Sequence, residues 1–131
     1  MQQKKYNNTL ETIIYSLVEL LDNCRFNANP INAYTIVPPN TPHPYLRISE
    51  ILQLEDKPCF PVEYILLCSI VTKKKSFNDA FEIYNIVQEA INKYLKYYFN
   101  TQIITSFTRV QPQQITQDIT ALKFTLSIKK A

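Results

Sequence analysis

Apolar residues fall along this chain in two periods, one of three to four residues and one of two, and the two alternate in blocks. Leu10, Ile13, Ile14, Leu17, Leu20, Leu21 and Cys24 recur at the spacing of one helix face. Asn8 stands at the N-cap position with Glu11 three residues on, so a first helix is predicted to run to about Cys24. Ser76 and Asp79 give a second start of the same kind, with a carboxylate at the positive end of the helix dipole. Beyond it Phe77, Ala80, Phe81, Tyr84, Val87, Ile91, Tyr94, Leu95 and Tyr98 make one broad apolar stripe. Asn78, Glu82, Asn85, Glu89, Asn92, Lys93 and Lys96 take the other side.

The period of two is strictest near the C-terminus, where Leu122, Phe124, Leu126 and Ile128 alternate with Lys123, Thr125, Ser127 and Lys129. That pattern predicts a strand over Thr120–Lys129 with its phenylalanine toward the helices and its lysines toward solvent or a neighbour. Val62–Thr72 is β-branched and aromatic with almost no charge, as expected of a central strand buried on at least one face. From Tyr45 a further strand places Leu46, Ile48 and Leu52 on one side and Tyr45, Arg47, Ser49 and Glu50 on the wetter one. Ala33–Val37 and Ile103–Val110 are shorter β-prone runs.

The segments between them read as turns. Residues 25–32 (RFNANPIN) are rich in Asn, and Pro38, Pro39, Pro42 and Pro44 interrupt the next stretch. Leu54–Pro61 is expected to be the long tip of an antiparallel hairpin, and Gln111–Asp118 is too polar for a core and too short for a crossover helix. The predicted architecture is therefore α+β: an antiparallel β-sheet of four to five strands with two α-helices packed on one face. A single domain is expected over residues 1–131, with residues 1–7 as a flexible N-terminal tail.

Composition supports a globular chain, since 46% of residues are hydrophobic and only 19% charged, a balance far from that of disordered segments. The absence of glycine changes the picture more. Average usage would supply roughly nine in a chain this long. Without them no glycine-rich phosphate cradle can form, and turns fall to Pro and Asn. The accompanying abundance of Asn, Ile, Lys and Tyr is also what a genome of high A+T content produces. A net charge of +3 with scattered signs declares no nucleic-acid surface. The polar N-terminus lacks an apolar run behind its lysines, and the longest apolar run is too short to span a bilayer, so a cytoplasmic protein outside the membrane is expected.

Candidate chemistry is sparse. His43, the single histidine, lies between two prolines in an expected exposed loop, and Cys24, Cys59 and Cys68 lack metal-ligand spacing. Cys24 and Cys68 fall in apolar patterns and read as small core residues. No catalytic group, metal site or cofactor is predicted. Glu55 and Asp56 are adjacent carboxylates beside Lys57 on the hairpin tip, where solvation explains them as well as a contact does. Lys73, Lys74 and Lys75 are the one charge run; they suit either a solvated turn or a contact with phosphates or an acidic partner. Tyr94 and Tyr98 belong to the helix stripe, leaving Tyr97 as a surplus aromatic that suits a protein interface better than base stacking.

The order of these elements carries a resemblance. An N-terminal helix is followed by an extended segment entering a proline-rich turn and strand (TIVPPNTPHPYLRISE). A hairpin leads to an apolar strand, then a turn and a long helix (VTKKKSFNDAFEIYNIVQEAI), and a polar-to-alternating strand pair closes the chain (RVQPQQITQDITALKFTLSIKK). Over about residues 10–129 this resembles the small tail-completion, or tail-terminator, proteins of long-tailed bacteriophages and prophages. Ser76 fits the small capping residue of that family's strand-turn-helix unit, whereas the lack of glycine and the basic Lys73–Lys75 turn depart from its pattern.

The resemblance implies a non-enzymatic α+β subunit that assembles as a ring, usually a hexamer, at the head-proximal end of the tail tube. There it stops tube growth and offers the surface for head joining. Its implied partners are copies of itself, the tail tube protein and the head-tail connector. Neither a membrane nor nucleic acid is among them, apart from DNA passing through the ring. The implied location is the host cytoplasm before assembly and the virion tail after it. Lys73, Lys74, Lys75, Glu55, Asp56, Lys57 and Tyr97 are the candidate assembly residues. The alternative, from the residues alone, is a small non-enzymatic module that binds an acidic protein or nucleic acid through Lys73–Lys75.

Overall fold

The computed structural model describes residues 10–55, 62–74, 76–99 and 102–131. Helix α1 (Leu10–Asp22) turns Ile13, Leu17, Leu20 and Leu21 inward, together with Thr12 and Ser16. The buried Ser16 hydroxyl donates to the Thr12 carbonyl at 2.6 Å, so its polarity is satisfied inside the helix. Two-residue strands β1 (Arg25–Phe26) and β2 (Asn29–Pro30) form a minimal hairpin over the stretch expected to be a turn. Its corner residues Asn27 and Ala28 have φ of 50° and 66°. This is the geometry that tight hairpins usually build with glycine. Asn40 also lies in the left-handed region, so asparagine replaces glycine at two of the turns. Ala28 pays a steric cost there. Ala28→Gly is expected to stabilise the protein by about 0.5–1 kcal/mol, seen as a higher urea midpoint at unchanged slope.

The main sheet contains β3 (Ala33–Tyr34), β4 (Tyr45–Glu55), β5 (Val62–Thr72), β6 (Ile103–Gln114) and β7 (Thr120–Lys130), in the spatial order β3-β4-β5-β7-β6. The four long strands pair antiparallel, as expected, but β3 is shorter than predicted and runs parallel to β4, making the sheet mixed. The prolines after Val37 and the distance back to Tyr45 allow this short return. Helix α2 (Asn78–Tyr94) and a 3-10 turn (Leu95–Tyr98) lie on the same face as α1. Leu17, Leu21 and Ile91 converge there on Leu46, Ile48, Cys68, Phe124 and Leu126. No helix among the described residues is long and apolar enough to cross a membrane.

The register of β7 is the predicted one: Leu122, Phe124, Leu126 and Ile128 are buried against the helices while Lys123 is exposed. Tyr84, Phe107 and Phe124 form an aromatic cluster with centroids 5.2–6.0 Å apart. The N-cap of α2 is Phe77, one residue later than expected, its carbonyl accepting the Phe81 amide, while Ser76 stands just before it with its Oγ accepting the Asn78 amide at 3.1 Å.

Several expectations are corrected. The buried stripe of α2 is Ala80, Ile83, Tyr84, Val87, Ala90 and Ile91; Phe81 points outward, about 100° off that line, and Tyr94, on the line by its spacing, is exposed at the last residue of the helix. On β4 a bulge at Ser49 inserts one extra residue, which sends Ile51 inward opposite Leu66 and Leu52 outward opposite Ile65. Residues Leu54 and Glu55 continue β4 instead of opening the loop. On β6 a second bulge, with Arg109 at φ 56°, lets pairing resume at Gln111–Lys123. Gln111–Gln114 are consequently strand, and the turn shrinks to residues 115–119. Polar residues suit this stretch because it runs along the sheet edge.

Candidate functional site

The sheet's second face is where the chain leaves apolar surface unspent. Central strand β5 is apolar on both sides: Tyr64, Leu66, Cys68 and Ile70 point to the helices, and Ile65, Leu67 and Val71 point away from them. A strand with two apolar faces is the pattern of a sheet covered on both sides. Here no helix or strand of the described residues covers the second side. Cross-strand register sorts this open face into rows. Leu52, Ile65, Ser127 and Ser106 form one, and Glu50, Leu67, Thr125 and Thr108 the next. Leu54, Glu63, Lys129 and Ile104 flank them at one end, and Arg47, Ser69, Lys123 and Gln111 at the other.

On this face β4 contributes Leu52 and Leu54 with Glu50 and Arg47, and β6 contributes the hydroxyls of Ser106 and Thr108. Leu52 and Leu54 are 42% and 47% exposed, a large share for leucines in a strand. Glu63, in the flanking row, is held by the Ser127 hydroxyl at 2.5 Å. Among the described residues, β3 pairs with β4 only at Leu46 and Arg47, no strand pairs with the outer edge of β4 beyond Arg47, and β6 pairs only on its β7 side.

The candidate residues are not gathered in one place. Lys73 and Lys74 are exposed at the end of β5, where Lys74 lies 3.8 Å from Asp79. Glu55 pairs with Val62 at the opposite end of that eleven-residue strand, about 34 Å away. Tyr97 is at the Glu55 end, beside Ile103, Ile104 and Ala131, and is 66% exposed as expected. Lys75, Asp56, Lys57 and Cys59, with the expected N-terminal tail at residues 1–7 and the Asn8 cap, lie outside the described residues.

No family model matches the chain, and no curated protein matches it in sequence. In fold it is similar to a chain from the virion of a native gene transfer agent particle. The match has a TM-score of 0.61 at 14% identity and covers 90% of each chain. What is shared at that identity is the fold, which includes nearly the whole chain.

His43 is half-buried against the Tyr45 ring, 5.3 Å between centroids, and so is less solvated than its proline-flanked position suggested. Burial pushes the Cys68 thiol up to about 12, which keeps it protonated and unreactive, and Cys24 is raised for the same reason. No group of three or more His, Cys, Asp and Glu able to hold a metal occurs among the described residues. The sequence reading did not foresee Leu52 on the open face or the exposure of Tyr94. The first is hidden by a bulge; the second is hidden because Tyr94 continues the spacing of Ile83, Val87 and Ala90 and is exposed only where α2 ends and the 3-10 turn begins.

Proposed function

We propose that this chain is a non-enzymatic structural subunit of a phage-type virion, acting as a tail-completion protein. It forms a ring, a hexamer, at the head-proximal end of the tail tube, where it stops tube growth and presents the surface for the head connector. It works without a cofactor. It enters the virion from the host cytoplasm, and DNA passes through the ring without being read. The observation that carries this is the two-sided apolar pattern of β5 over an open sheet face: a fold spending Ile65, Leu67 and Val71 outward is shaped for a neighbour. The likeness in fold to a chain of a gene transfer agent virion supports a structural role of the same kind.

Head-to-tail contact follows from the difference between the two edges. The β4 side carries Leu52 and Leu54 together with Arg47 and Glu50, and the β6 side carries Ser106 and Thr108, so one side of a subunit meets the different side of the next, a heterologous contact that closes into a ring when the rotation allows. Lys73 and Lys74 follow one end of β5 and Glu55 pairs at the other, so the two ends differ in charge for neighbours along the tail axis. Placing two carboxylates on the face, Leu52→Glu with Leu67→Glu, is expected to leave folding intact and abolish assembly, read as subunit mass by sedimentation with far-ultraviolet circular dichroism as the control. Assembly equal to the unmodified protein would remove this face from the contact.

A further inference from the structure

Helices α1 and α2 end at the same corner of the molecule, and their last turns enclose a cleft of about 400 Å³. Glu19, Leu20 and Asn23 line it from α1; Tyr94, Tyr97 and Tyr98 line it from α2 and the 3-10 turn. The Tyr98 hydroxyl donates to Glu19 Oε2 at 3.0 Å, and Tyr15 hydrogen-bonds the same side chain. Burial, followed by the Glu19 hydrogen bond and charge, pushes the Tyr98 phenol up to about 12, so it remains a neutral donor. Tyr94 and Tyr97 are 51% and 66% exposed. Both rings stand largely exposed beside a carboxylate, a large aromatic surface left on the outside of the fold.

Several groups at this corner attract a cation. Two helix C-termini present the negative ends of their dipoles there, in addition to the Glu19 side chain. The chain's own cations already respond to it: Arg25 Nη1 donates to the Asp22 and Cys24 carbonyls at 2.6 and 3.2 Å, and Lys96 Nζ sits 5.4 Å from the Tyr97 ring centroid. An anionic ligand would be repelled by the same groups. Of the cationic side chains, a guanidinium fits best, since its plane stacks on a tyrosine face while its fork of N–H donors meets a carboxylate.

The geometry points to this cleft as a receptor for an arginine side chain from an extended segment of a partner protein. Glu19 supplies the charge, and Tyr94 and Tyr97 supply the stacking walls. Tyr98 and Tyr15 hold the carboxylate in place. This site is separate from the open sheet face, and arginine binding here would stand even for a subunit that forms no ring.

The test is a titration of the full chain with the capped tripeptide acetyl-Gly-Arg-Gly-amide, followed by the ring resonances of Tyr94, Tyr97 and Tyr98. Its citrulline counterpart, of the same shape without the charge, is the comparison. The arginine peptide is expected to shift these resonances saturably in the millimolar range, with the citrulline peptide at least about tenfold weaker. Glu19→Gln should weaken arginine binding by about tenfold or more, and Tyr97→Ala should weaken it too, whereas Tyr98→Phe, which keeps the carboxylate, should still bind. If Glu19→Gln does not fold, the Tyr97→Ala and Tyr98→Phe pair carries the comparison. No saturable shift with the arginine peptide, equal affinity for citrulline, or undiminished binding to a folded Glu19→Gln or Tyr97→Ala protein would overturn the assignment.

Discussion

Phe124→Ala is expected to destabilise the protein by about 3–5 kcal/mol, measured as a fall in the urea midpoint. Phe124 is 2% exposed and is packed edge-on against Tyr84 from α2, at 5.2 Å, and at a tilt against Phe107 from the edge strand, at 5.7 Å. Truncation removes both ring contacts and leaves a cavity in the middle of the sheet, with Leu17 and Ile91 above it unable to follow. Domains of this kind hold only about 5–15 kcal/mol in total, so the loss is a large part of the whole. A cost below about 1 kcal/mol would mean that β7 does not present this side chain to the helices.

The second large effect concerns the two threonines that join β5 to β7 on the buried face. Thr72 and Thr120 are cross-strand partners, nearly inaccessible, with hydroxyls 2.7 Å apart. Replacing one by Val strands the other hydroxyl in the core and is expected to cost about 1–3 kcal/mol. Replacing both by Val keeps the shape and removes the pair, so the double variant should be nearly as stable as the original protein. A double-mutant cycle checks this: strictly additive losses would show that the hydroxyls do not depend on each other.

How far this fold could be read from the chain depended on whether local pattern or long-range register decided each feature. Leu122, Phe124, Leu126 and Ile128 alternate without interruption, so β7 and its inward face were legible at once, and Ser76 marked the start of α2 to within one residue because its bond to the Asn78 amide is local. The bulges at Ser49 and at Arg109 were not legible, because a bulge is settled by the partner strand and no glycine marked the place. One hidden residue on β4 was enough to exchange Leu52 for Ile51, which moved an apolar side chain onto the open face. Ala33–Tyr34 pairs parallel for a similar reason: the direction of a two-residue strand depends on where the proline-rich return brings the chain.

The interaction residues divide the same way. Tyr97 stood out in the sequence because it fell off the helix stripe, and it is exposed. Glu19 and Tyr98 could not be paired in advance, since they are 79 positions apart and meet only because both helices end at one corner. The outward Ile65, Leu67 and Val71 were visible as an unusually apolar strand, but that they face away from every described helix needed the register.

Subunit mass across a concentration series, by light scattering, tests the structural-ring account most directly. The account predicts a species near the 15.3 kDa of one chain when dilute and, at high concentration or with tail tubes present, one discrete species of six times that mass that stops growing. A mass that stays at one chain under all these conditions, or one that rises without limit, would contradict it.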